Sequence, residues 1–265
     1  MTLRALSVLR TVDVIAAEDT RVTRKLLQHH AIPAKLMAAH AHNEHRAAGE
    51  IVALLRDGKR VALVTDAGTP GFSDPGAVIV SAARAAGFEA TPIPGPNAAV
   101  AALSAAGRTA DRVLFCGFLP PRPAARRKAL QTLHALPFLL VFYEAPHRVR
   151  EALADLRETL GPERTVTLAR ELTKRFESFH TCRLAEAEAW VAADPNREKG
   201  EFVLLVDGAV LETASETEDA AAERVLRVLL AELPLKQAVA LATAICGASR
   251  NRLYARALAL KAQGD

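Results

Sequence analysis

Acids, hydroxyls and guanidinium groups are unevenly spread along this 265-residue chain: they collect directly behind apolar, β-branched runs. Behind Val14-Ile15-Ala16-Ala17 come Glu18, Asp19, Thr20 and Arg21, two carboxylates able to take up a proton next to a cation able to hold an anion. Asp19 or Thr20 reads equally well as the N-cap of a helix running to His30. Behind Val61 to Thr65 comes Asp66-Ala67-Gly68-Thr69-Pro70-Gly71-Phe72-Ser73-Asp74-Pro75-Gly76. Glycines there let a ligand approach the backbone, Asp66 can accept hydrogen bonds from a ribose or an ammonium group, and Ser73 or Asp74 can cap the next helix. An ordinary β-α turn has the same composition.

A third turn, Pro94-Gly95-Pro96-Asn97-Ala98-Ala99, opens a helix with small residues that leave room for a flat ligand, or simply for close packing on a sheet. Farther on, Gly117 to Lys128 is a stiff proline-rich loop leading into a helix that carries Arg126, Arg127 and Lys128, a phosphate grip or a solvated face. Phe142-Tyr143-Glu144-Ala145-Pro146-His147-Arg148 ends a buried strand on an aromatic, a carboxylate and two bases. Ala169-Arg170-Glu171-Leu172-Thr173-Lys174-Arg175 ends another on charges, where an Arg to Glu ion pair is the plain alternative. No histidine or cysteine stands at metal-ligand spacing: His40, His42 and His45 are too loosely placed to specify zinc, and Cys116, Cys182 and Cys246 form no C-x-x-C pair. No metal and no disulfide framework are expected.

The elements that must position these groups follow from periodicity. Val12 to Ala17, Val61 to Thr65, Glu89 to Ile93, Val113 to Cys116, Phe138 to Tyr143, Thr165 to Ala169 and Phe202 to Val206 read as strands, with helical periodicity between them. The pattern predicts an α/β fold with largely parallel strands, in which ligands lie at the strands' carboxyl ends. A polar joint at Arg108 to Arg112 divides it into α/β domains over 1–110 and 111–208, followed by an acidic linker over 209–219 and a helical, helix-turn-helix-like appendage over 220–265. The chain opens on an amphipathic helix, Thr2 to Leu9, where a β-α-β unit has a strand, so an opening strand is expected to be missing. Half the residues are hydrophobic and the formal charge is +4, a mild value for a nucleic-acid binder. With no secretory signal or apolar run of membrane-spanning length, the expected location is the cytoplasm.

The ordered set A-E-D-T-R at Ala17, D-A-G-T-P with S-D-P-G through Gly76, P-I-P-G-P from Pro92, G-F-L-P at Gly117, F-Y-E-A-P-H-R at Phe142, A-R-E-L-T-K at Ala169 and G-E-F-V-L-L-V from Gly200 resembles the ribosomal RNA small subunit methyltransferase I family. The resemblance implies two α/β domains of the tetrapyrrole methylase type, a homodimer, and S-adenosylmethionine held between the domains for methylation of a cytidine 2′-hydroxyl in 16S ribosomal RNA. It implies cofactor contacts from Asp66, Ala67, Gly68, Thr69 and Pro70, from Pro94, Gly95, Pro96, Asn97 and Ala98, from Tyr143, and from Ala169, Arg170, Glu171 and Leu172. Arg21, Arg126, Arg127, Lys128, Arg148, Lys174 and Arg175 become candidates for RNA contact. A ribose hydroxyl is a weak nucleophile, so a carboxylate base is expected among Glu18, Asp19 and Glu144. A tetrapyrrole C-methyltransferase and a non-catalytic RNA-binding protein are the competing readings.

Overall fold

Helix α1 (Leu3–Thr11) begins the computed structural model, its N-cap Thr2 accepting from the Ala5 amide at 3.1 Å. The structure describes the backbone of residues 1–210 and 214–262 and the side chains of 1–210 and 222–260. These fall into two compact units, 1–208 and 209–265. Within the first, β1 (Val14–Ala17) lies between β2 (Lys35–Ala38) and β3 (Val61–Val64) in a parallel sheet. Flanked on both edges, all four β1 residues are buried. The register pairs Ala17 with both Ala38 and Val64, so the three carboxyl ends finish level.

Helices α2 (Thr20–His29), α3 (Glu44–Arg56) and α4 (Ala77–Ala85) accompany this sheet. Helices α3 and α4 share a core of small residues, Ala16, Ala39, Ala47 and Ala48, with Ile51 and Ile79, while Leu27 of α2 packs with Leu9, Ile15 and Ile32. Neither Ser73 nor Asp74 caps α4, contrary to expectation. Its N-cap is Gly76, and Glu44 of α3 reaches across to accept from the Gly76 and Val78 amides at 2.7 and 3.1 Å, placing a carboxylate at the positive end of the helix dipole.

After α5 (Ala98–Ala105) comes a five-stranded sheet, in spatial order β4 (Val113–Phe118), β5 (Leu139–Glu144), β8 (Phe202–Val206), β6 (Thr165–Arg170), β7 (Ser178–Arg183). Only β4 and β5 run parallel; the other pairings are antiparallel, which corrects the expectation of largely parallel strands for this half. Period-two alternation sorts its residues between two faces. Leu140, Phe142, Leu168 and Leu204 face α6 (Pro123–Leu133), α7 (Val149–Leu160) and α8 (Leu184–Ala192) in a core of large side chains. Leu139, Val141, Ala169, Val203 and Leu205 face α5.

The other expected strands form with ends shifted by a residue or two, but Glu89 to Ile93 does not become one. Its composition suits a strand, yet among the described residues no neighbour supplies a ladder of backbone partners. The second unit consists of α9 (Ala214–Glu232), α10 (Leu235–Cys246) and α11 (Arg250–Ala262), packed around Leu226, Val239, Ala242 and Leu253. Gly247, at φ +68, ends α10 in the left-handed conformation glycine adopts most readily. Part of the expected linker, 211–213, lies outside the described residues, and α9 already begins at Ala214. Among the described residues no helix is long and apolar enough to cross a membrane.

Candidate active site

Because Ala17 and Val64 are level, Glu18 and Thr65 leave the first sheet side by side. The Thr65 hydroxyl donates to Glu18 Oε2 at 2.6 Å, and the Asp66 amide donates to the same oxygen at 3.3 Å. In return the Asp19 amide donates to Asp66 Oδ1 at 3.1 Å, so acids lace the two strand-end loops together from both sides. Asp19 also caps α2, accepting from the Arg21 amide at 2.8 Å and from its guanidinium at 2.6 Å. That guanidinium holds the Asp19 carboxyl well below the usual carboxylate range. The Arg21 side chain remains 84% exposed.

The turn that begins at Asp66 folds back on itself. Gly68 sits at φ +75, and a Cβ there would stand 3.3 Å from Asp74 Oδ2, so glycine lets this loop close over the acid. Half-buried Asp74 is pushed up to about 6, first by desolvation and then by the neighbouring charge of Glu18, with the Thr65 hydroxyl pulling the other way.

Two further elements complete the cleft. The Thr69 hydroxyl donates to the Pro96 carbonyl at 2.9 Å, which brings the Asp66 to Pro70 turn against the Pro94 to Ala98 turn. Asn97 caps α5 by accepting from the Val100 amide at 3.0 Å, and the Tyr143 hydroxyl, reaching over from β5, accepts from the Ala99 amide at 3.1 Å. Phe72 stacks on Phe115 with ring centroids 4.1 Å apart, and Phe115 and Phe118 each meet Tyr143 edge-on. Ala169 is buried beneath α5 and Leu172 packs at the margin of the same cluster. Arg170 and Glu171 instead fasten their own loop. Arg170 donates to the Lys199 carbonyl at 3.0 Å, while Glu171, at φ +51, accepts from Lys174 Nζ and the Glu201 amide at 2.8 and 2.9 Å.

Two expected residues lie elsewhere. Tyr143 and Glu144 are consecutive on β5 and so point to opposite faces: Tyr143 faces α5, while Glu144 lies on the side of Phe142, fully buried and paired with Arg148 at 2.7 Å. Glu144 is therefore not a base facing this cleft, and Arg148 is tied to it. Arg126 is 1% exposed, its Nε 2.5 Å from Asp155 across the α6–α7 packing, so it is not a phosphate contact. Arg127 shares Asp155 but keeps 42% of its side chain exposed. Lys128 is exposed on the same helix, Lys174 lies between Glu171 and Glu201, and exposed Arg175 leans over the Phe176 ring. Sequence reading missed Asp74 as a member of the acidic group and Glu44 as a cap. An Asp-Pro-Gly before a helix looks like a cap, and only the fold shows that another helix fills that role.

A family model described as Tetrapyrrole (Corrin/Porphyrin) Methylases matches residues 1–188, and one described as RsmI C-terminal HTH domain matches 216–261. Ribosomal RNA small subunit methyltransferase I of Pseudomonas aeruginosa is 51% identical over 255 residues, 96% of this chain and 90% of the relative. The protein of that name from Escherichia coli O157:H7 is 50% identical, over 97% of this chain and 90% of its own length. The chain belongs to the ribosomal RNA small subunit methyltransferase I family. Its fold is also that of the solved methyltransferase CobJ, with TM-score 0.59 at 23% identity over 79% of this chain and 88% of that one, and of cobalt precorrin-4 methyltransferase CbiF, with TM-score 0.57 at 17% identity over 77% and 88%.

As a methyltransferase of this type the chain uses S-adenosylmethionine. The residues present suit that group. Gly95 is exposed, and a Cβ on it would meet nothing closer than 3.8 Å, so packing does not demand glycine there. What glycine and Ala98 provide is open backbone beside the Thr69–Pro96 contact, a surface suited to a flat purine. The acids at the strand ends of this methyltransferase suit a cationic sulfonium.

Proposed function

We propose that the chain methylates the 2′-hydroxyl of a cytidine in 16S ribosomal RNA of the small subunit, acting in the cytoplasm as a homodimer. The observation that carries this reading is that its similarity to ribosomal RNA small subunit methyltransferase I runs through the helix-turn-helix match at 216–261 as well as the methylase match at 1–188. A tetrapyrrole substrate gives that helical unit no evident use.

S-adenosylmethionine, when bound, supplies an electrophilic methyl group on a sulfonium. The protein's share is alignment. The turns joined by Thr69 and Pro96 present backbone to the cofactor, with Asp66, Ala67, Gly68 and Pro70 on one side and Pro94, Gly95, Asn97 and Ala98 on the other. Tyr143, Ala169 and Leu172 form the floor against α5, with Arg170 and Glu171 bracing it. Phe72, Phe115 and Tyr143 form an aromatic wall beside that floor. The exposed cations Arg21, Arg127, Lys128 and Arg175 are the side chains best placed to hold backbone phosphates.

The test is to incubate the full chain with methyl-labelled cofactor and small subunits from cells lacking this methyltransferase, then digest the RNA and identify the labelled nucleoside by mass spectrometry. The label is expected on a cytidine ribose, and RNA affinity should fall with salt at a log-log slope of roughly 0.7 per phosphate neutralised on single strands. Label on a base, or on added tetrapyrrole with none on RNA, would overturn the reading.

A further inference from the structure

A flat ring with a cation beside it occurs at Trp190 and at Phe176, and only the first is complete. His180 stacks on Trp190 with ring centroids 4.0 Å apart, and the Arg197 guanidinium carbon lies 4.4 Å from the centre of the same ring. Trp190 thus draws both a flat partner and a cation from within the chain. Phe176 has the cation alone: the Arg175 guanidinium carbon stands 5.5 Å from its centre, and among the described residues no ring stacks on it. Phe176 is also 63% exposed, more than any other described phenylalanine.

A lone exposed phenylalanine is ordinary on a protein surface. This one is held in place. The loop that carries it, residues 171–177 between β6 and β7, puts Glu171 at φ +51 and the β-branched Thr173 at φ +63, in the left-handed region that side chains disfavour. Its backbone is pinned throughout. The Glu171 amide donates to the Glu201 carbonyl at 2.9 Å, the Lys174 amide to the Glu171 carbonyl at 3.0 Å, and the Glu177 amide to the Lys174 carbonyl at 3.2 Å. The Thr173 amide donates to Glu177 Oε2 at 2.5 Å, and a Cβ on Gly200 would overlap the Glu171 side chain, so glycine there lets the loop seat. Backbone strain persists only where the surroundings impose it, and it gathers at ligand clamps. At its start the same loop borders the cofactor floor through Leu172. Of its two cations, Lys174 is neutralised by Glu171 and Glu201, whereas among the described residues no carboxylate pairs with Arg175.

Resting on the proposed methylation of ribosomal RNA, we infer that Phe176 is a substrate-binding residue whose ring stacks on an unpaired base of the RNA, with Arg175 meeting an adjacent phosphate. Proteins that read RNA by sequence take hold of it at unpaired bases, which they stack on aromatic rings. A nucleotide supplies both missing partners at once, a flat ring for the phenyl face and an anion for the guanidinium. An apolar protein surface would cover the ring and leave Arg175 unanswered. Methyl transfer rests on alignment, and a ring mounted on a rigid loop beside the cofactor floor fixes a base, and through it the ribose, without any hydrogen bond.

The experiment measures the affinity of the full chain for small subunits from cells lacking this methyltransferase, across a range of salt, for wild type, Phe176→Ala, Phe176→Leu, Phe176→Tyr and Arg175→Ala. Phe176→Ala and Phe176→Leu should each weaken binding by about tenfold or more, and Phe176→Tyr, which keeps the ring, should stay within about threefold of wild type. Phe176→Ala should leave the salt dependence unchanged, whereas Arg175→Ala should lower the log-log slope by roughly 0.7, the share of one phosphate. Affinity for S-adenosylhomocysteine, read by calorimetry, should hold within about twofold in every variant, a result that a merely structural role for the loop tip would not give. Phe176→Ala that binds within twofold of wild type overturns the inference, and so does Phe176→Leu that binds as wild type does, because bulk without a ring would then suffice. An equal loss of S-adenosylhomocysteine affinity would move Phe176 into the cofactor site, and a changed sedimentation of Phe176→Ala would move it to a contact between copies of the chain; either overturns the stacking role. Wild type that neither binds these subunits nor methylates their RNA overturns the proposed function instead, and that result is read before any variant is compared.

Discussion

Two buried or half-buried aspartates, one in each half of the first unit, are treated in opposite ways. Asp155 on α7 is 6% exposed and met by two guanidinium groups, Arg126 at 2.5 Å and Arg127 at 3.0 Å. Asp74 has no such partner among the described residues and instead feels the charges of Glu18 and Asp66, which share its sign. A matched charge between two helices belongs to the scaffold. Like charges kept together unneutralised work against folding, and the natural reason for a chain to retain them is chemistry performed on something it does not itself contain.

The sharpest break in this comparison is Asp155→Ala. It leaves Arg126 buried without its principal counter-ion, and the chain should lose about 3–5 kcal/mol in denaturant unfolding. A loss under about 1 kcal/mol would mean that the pair is not structural. Gly95→Val is next and reads binding instead. With open space around the glycine, stability should hold while S-adenosylhomocysteine affinity drops at least about tenfold, or roughly 1.4 kcal/mol. Undiminished calorimetric binding would remove this turn from the cofactor site.

Asp74→Asn has the smallest expected effect and the opposite sign. The folded-state value of Asp74, about 6, lies above its ordinary 3.8, so its favourable contribution is present below about pH 4 and lost as pH rises through about 6. The variant should therefore be more stable than wild type at pH 8, by about 1 kcal/mol for a group this open to solvent, and the difference should close by pH 4. Thermal unfolding at the two pH values is the check, and a destabilised variant at pH 8 would place Asp74 in the scaffold after all.

Much of this arrangement is legible in the sequence because strand ends announce themselves. The Asp66 and Pro94 turns are dense in Gly and Pro behind apolar runs, and the fold joins them through Thr69 and Pro96. Strand β7, Ser-Phe-His-Thr-Cys-Arg, is not legible. It is an edge strand with alternate residues in solvent, so it lacks the apolar run that marks a buried strand. Tyr143 and Glu144 show a second limit. Adjacent residues in one motif look like a single functional set, but the pleat sends them to opposite sides of the sheet, and which side holds the cleft depends on where α5 packs. Arg126 shows a third, since its partner Asp155 lies 29 residues away on another helix.

The position of α5 has a consequence for the order in which the molecule can be made. Its buried face, Ala99 and Ala102, packs in one cluster with Leu139 and Val141 on β5, Ala169 on β6 and Val203 and Leu205 on β8, and the joint that follows it is tied to the end of β8 by Arg108 and Asp207. A ribosome synthesising this chain releases α5 roughly a hundred residues before the strand that completes its seat, so the turns on which α5 depends can be loosely formed but not fixed until residue 206 has emerged. The cleft is thus among the last parts of the first unit to settle, although most of its residues are among the first to be translated.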